Sequence, residues 1–185
     1  MPQQNNLLAE AVAAARGVVA VTIGNREAGR YFNLTPHGLA GSFIALLLIA
    51  GIGAALPLAF GIHGRTLFAV IASAVSLALQ VGCGAIALAQ AKRLDGFVPY
   101  LVVDNWASFY VTAVGLILSL MGVPDEVIGF PIGVLVVIVA VNIGRVIVGL
   151  QPLQVAMFVI AQVVGYLVAG ITLSMIIPPL PGVSS

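Results

Sequence analysis

An all-α integral membrane fold, five transmembrane helices in a bundle preceded by a cytoplasmic amphipathic helix at the interface, is what this sequence predicts. Composition is the first reason. Of 185 residues, 61% are hydrophobic and 7% charged, with a mean hydropathy of +1.18. Soluble globular domains carry roughly 25% charged residues. The second reason is a series of apolar runs, each reaching the ~20 residues that cross a hydrocarbon core at ~1.5 Å rise per residue. The third is that the connections between runs are too short to hold an extramembrane domain.

Leu7 to Ile23 comes first and is apolar, but Glu10 and Arg16 interrupt it and no basic segment precedes its apolar stretch. That argues against both a signal peptide and a sixth span. On a helix, Leu7, Leu8, Ala11, Val12, Ala15, Val18, Val19 and Thr22 follow spacings of three and four, with Glu10, Gly17 and Gly24 opposite. The pattern predicts an amphipathic helix at the interface, either a lid on its own bundle or a partner-binding helix. Arg26, Glu27 and Arg30 then form a polar connector to Tyr31 and Phe32, aromatics suited to the membrane interface.

The spans are read at Gly38 to Ile62, Thr66 to Ala91, Val98 to Gly122, Val127 to Leu150 and Leu153 to Ile177. Thr35-Pro36-His37 and His63-Gly64-Arg65 bound the first. The chain therefore divides into an amphipathic helix and connector at 1–37, a five-helix domain at 38–177 and a short tail at 178–185. Five spans put the termini on opposite sides. Arg16, Arg26, Arg30, Lys92, Arg93 and Arg145 fall on or near the N-terminal side, against Arg65 on the other. The positive-inside rule then predicts a cytoplasmic N-terminus and a C-terminus outside.

Asp104 and Arg145 are ionisable groups inside apolar runs, where charge is costly and usually partnered. Asp104 lies about four helical residues beyond Tyr100, roughly 6 Å of rise, and Arg145 about six before the Gln151-Pro152 turn, roughly 9 Å. The matching depths predict an ion pair between the third and fourth spans. Asn142, three residues before Arg145 on a helix, and Asn105 beside Asp104 would complete a polar cluster of Asp104, Asn105, Asn142 and Arg145. Such a cluster can fix helix register, or form an inward-facing pocket for a proton, a cation or an anionic headgroup. Gln80 and Gln162, deeper in their spans, are suited to hydrogen bonding across helices.

Gly129 and Gly133, Gly51 with Gly53, Gly82 with Gly84, and Gly165 and Gly170 offer flat surfaces, expected to serve mostly internal packing and otherwise an oligomer interface. Pro57 and Pro131 are expected to kink their helices or mark their ends. Cys83, the single cysteine, is expected to pack as a small hydrophobe. Gly-x-Ser-x-Gly, HExxH, Walker-type and CxxCH motifs are absent from the sequence, and His37 and His63 flank one span on opposite faces. No catalytic residue, metal site or cofactor is expected. A net charge of +1 gives no basic excess to attract nucleic acid.

The stretch Arg30-Tyr31-Phe32-Asn33-Leu34-Thr35 before Gly38 and Ser42-Phe43, followed by Val98-Pro99-Tyr100 with Asn105-Trp106-Ala107-Ser108, resembles small bacterial membrane proteins related to the Yip (Ypt-interacting) family. The resemblance implies a cytoplasmic N-terminal segment, five helices and residence in the bacterial inner membrane. It brings no catalytic residues. Eukaryotic members are associated with membrane shaping and with binding small GTPases. The expected function is a non-enzymatic scaffold, assembly factor or accessory subunit of a membrane complex, with lipids and other membrane proteins or further copies as partners. The alternative is a small transporter or lipid-binding protein using the Asp104 and Arg145 pocket.

Overall fold

The computed structural model describes residues 7–59 and 66–176. His63, Arg65 and the tail at 178–185 lie outside the described residues. Among the described residues six α-helices follow one another: α1 (Leu7–Thr22), α2 (Pro36–Ala59), α3 (Thr66–Gln90), α4 (Phe97–Leu120), α5 (Asp125–Asn142) and α6 (Pro152–Ile176). Helices α2 to α6 hold five segments long and apolar enough to cross a membrane, and no strand occurs among the described residues. The all-α five-helix class follows directly from the length of the apolar runs.

Local chemistry sets the helix starts. Thr35 precedes Pro36, whose fixed φ and missing N–H suit a first helical position, and the Thr35 hydroxyl accepts from the Gly38 N–H at 3.4 Å. At α6, Pro152 plays the same part. The Gln154 side chain reaches back to accept from the Gln151 N–H at 2.9 Å, as the third helical residue does in a capping box. Helix α1 ends at Gly24, whose φ of +72° lets the Asn25 N–H reach the Ala20 carbonyl at 2.9 Å.

Span α5 departs from the expected straight helix to Leu150. Its α-helix stops at Asn142 and passes into a π turn over Ile143–Ile147, where the Val148 N–H bonds to the Ile143 carbonyl at 3.0 Å. A π turn inserts a residue and changes the angular phase of everything after it. Pro131 lies inside α5, and Pro57 falls near the end of α2.

The most extensive contacts join α3 with α6 and α2 with α4, while α1 packs on α4 and α5. Burial concentrates at the end that carries α1. There Tyr100, Val102, Val103, Trp106, Ile143 and Phe158 are almost completely enclosed. Tyr100 meets Phe158 edge to face with centroids 5.1 Å apart.

Helix α1 is a lid on its own bundle, turned differently from expectation. Its buried residues are Ala14, Gly17, Val18, Ala20 and Val21, whereas Leu8, Val12 and Val19 of the expected apolar stripe are exposed. Close approach decides the rotation. A Cβ on Gly17 would sit 2.5 Å from the Phe32 ring, so this small-residue face alone admits the aromatic connector.

Candidate functional site

The α1 end of the bundle gathers the polar side chains, and each is held by a nameable local cause. Ser42, in the second turn of α2, donates to the Leu39 carbonyl at 2.9 Å and accepts from the Asn105 amide at 3.0 Å. Both residues are buried. This bond ties α2 to α4 where lipid could offer no substitute partner. The Asn105 Oδ1, the Tyr100 hydroxyl and the Trp106 indole N–H are buried without a hydrogen-bond partner among the described residues, which leaves the first half of α4 with spare polar capacity.

The expected four-residue cluster is divided among different partners. Asn105 turns to Ser42. Asn142 is buried and donates to the Thr22 carbonyl at 3.1 Å, so it closes the end of α1 rather than facing Asn105. Arg145 is exposed and Asp104 half-buried. The ion pairs among the described residues are Arg30–Glu27 and Arg93–Asp95, and Asp104 does not pair with Arg145. The expectation assumed an unbroken α-helix through Arg145. The π turn removes that basis, because it changes the angular phase of Arg145 on its helix.

Two further contacts hold α1 down. The Tyr110 hydroxyl donates to the Ala11 carbonyl at 2.5 Å. A Cβ on Gly41 would sit 2.9 Å from the Glu10 carboxylate, so the bare backbone of α2 makes room for that acid. Glu10 is held above its ordinary carboxylate value by burial, an effect partly offset by the nearby His37. Phe109 stacks edge to face on Tyr110 at 5.0 Å, and Trp106 lies beside both.

Arg93 is the brace that sequence reasoning missed, having counted it for topology alone. From the α3 to α4 connector it donates to the Gly149 carbonyl at 2.9 Å and to the Val148 carbonyl. The carbonyls at a helix end lack intrahelical donors, and a guanidinium supplies several at once. Local spacing offered no signal, since the partners lie far away in sequence.

Gln80 and Gln162 do bond across α3 and α6, at 3.3 Å. In the same seam, a Cβ on Gly165 would meet the Leu79 carbonyl at 3.0 Å and the Cys83 sulfur at 3.2 Å. Other glycines correct the expectation of internal packing. A Cβ on Gly51, Gly53, Gly82, Gly129, Gly133 or Gly170 would meet nothing within 4 Å. Among the described residues no three His, Cys, Asp or Glu side chains gather in a metal-binding group.

Comparison with protein-family models, with curated proteins and with solved structures finds no match to this chain.

Proposed function

We propose that this protein is a non-enzymatic membrane scaffold, an assembly factor or accessory subunit of a larger membrane complex, seated in the bacterial inner membrane with its N-terminus cytoplasmic. The observation that supports this reading is the second apolar face of α1. Val12, Val19 and Ile23 are 59%, 62% and 73% exposed, on a helix whose opposite face is fixed to the bundle. Large apolar groups pointing away from the bundle give α1 a surface beyond the sealing of its own core, open to lipid or to a partner helix.

Beside this stripe runs an apolar groove of about 420 Å³ between α1, α4 and α5, lined by Val18, Tyr110, Val114, Ile132 and Leu135 among others. The occupant we assign is a helix of a partner membrane protein. Helix α5, which contributes Ile132 and Leu135, also carries Gly129 and Gly133 with open space above them, and small residues let helix backbones approach closely in lipid. The resemblance to Yip-related proteins belongs to the same reading.

The test is site-directed crosslinking in native membranes on a Cys83→Ser background. Val19→Cys and Gly133→Cys should each crosslink to the same stoichiometric partner in mild detergent, while Ala14→Cys, on the buried face, should not. A monomer that crosslinks at none of these positions across lipid conditions would overturn the proposal. The alternative of a transporter or lipid-binding protein using a pocket shared by Asp104 and Arg145 finds less support, because Arg145 lines a cavity with Arg26 in which Asp104 takes no part.

A further inference from the structure

Arg26 and Arg145 line one cavity of about 690 Å³ at the α1 end of the bundle. Its walls include Val141, Leu150, Val155 and Pro152. Both arginines are exposed. Neither takes part in the ion pairs or side-chain hydrogen bonds of the described residues, whereas Arg30 is paired with Glu27 at 2.6 Å and Arg93 is committed to carbonyls and Asp95. Two like charges on one cavity repel, and an anion held between them would relieve that repulsion.

Pro152 walls the cavity from the start of α6 but, as a proline, donates no N–H to it. Guanidinium groups match phosphate oxygens in a planar fork. The walls next to the arginines are apolar, as Val141, Leu150 and Val155 are. Arg145 stands at the end of a candidate span and Pro152 at the start of the next, which is the depth of lipid headgroups.

We infer that Arg26 and Arg145 form a binding site for a phosphate-bearing anion, presented by the headgroup of an anionic phospholipid lying along the bundle. The site stands independently of any partner helix. The full chain is placed in phosphatidylcholine nanodiscs with or without phosphatidylglycerol, and lipid retained after detergent release is measured by native mass spectrometry. At about 1 kcal/mol per basic group near an anionic surface, Arg26→Gln and Arg145→Gln should each lower the phosphatidylglycerol to phosphatidylcholine ratio about fivefold, and the double variant about thirtyfold.

Arg16→Gln, at an exposed arginine outside the cavity, should leave that ratio unchanged; an equal loss there would overturn the site in favour of general surface charge. Inorganic phosphate is the second probe. Stabilisation by phosphate in pure phosphatidylcholine that needs both arginines, with no phosphatidylglycerol preference, would keep the site but assign it to a free anion. A double variant that matches the wild type with both probes would overturn the inference. Because both side chains are exposed, the variants should keep the parent's melting temperature.

Discussion

The two ends of the bundle are built differently. At the α1 end, a sixth helix, the Ser42–Asn105 bond, the Asn142 bond to α1 and the Arg93 brace join every layer. At the opposite end the same helices expose Ile117, Leu120, Val127 and Phe130, and Ile128 and Ala169 are among the few enclosed apolar groups. Helix α4 shows the contrast within one element, its buried residues all falling from Tyr100 to Ala107. In lipid, apolar side chains have no hydrophobic reason to leave the tails, so helix association rests on close packing and polar bonds. One end has both. The other leaves its apolar surface to lipid or to a partner.

The largest effect that would break this contrast comes from the aromatic core. Trp106→Ala should cost about 3–5 kcal/mol, as truncation of buried large aromatics does, and Ile117→Ala, at the opposite end of α4, under about 0.5 kcal/mol. Reversible unfolding in bicelles measures both, and equal losses would erase the distinction between the ends.

Glycines sharpen it at an intermediate scale. Gly165→Leu forces side-chain atoms into the α3 backbone and should cost about 1–3 kcal/mol by overpacking. Gly133→Leu meets open space and should leave the monomer's unfolding midpoint in place while weakening association with a partner helix, read by the crosslinking yield.

The smallest effect is a pH dependence confined to α1. Burial raises the Glu10 carboxyl above its ordinary value, so the docked lid favours the protonated form. Its docking is strongest below the ordinary carboxylate range and weakens as pH rises through the raised value. The protection factors of α1 amides, with the intrinsic pH dependence of exchange divided out, should therefore fall over that interval. Glu10→Gln should remove that fall and hold the higher protection to higher pH.

The five spans were legible because apolar length is a local property, and so was the use of Gln80 and Gln162 as ties across helices, because polar groups in apolar spans have few other partners; that they pair with each other was not. The polar cluster was only partly legible. Asn105 and Asn142 do serve as ties between helices, but their partners, Ser42 and the Thr22 carbonyl, depend on which faces meet. Arg145 could not be placed by counting residues, since the π turn that redirects it leaves no mark in the spacing of apolar groups.

Composition and run length by themselves determined the helical class, the number of spans and the presence of a separate first helix. Tertiary structure alone decided which of two apolar faces of α1 is buried, which glycines are filled by a neighbour, and that Arg145 shares its cavity with Arg26 instead of pairing with Asp104. The reason is physical. Crossing a bilayer requires only that each segment be long, apolar and internally hydrogen-bonded, whereas choosing a face requires two surfaces to fit, and fit depends on residues that are distant in the chain.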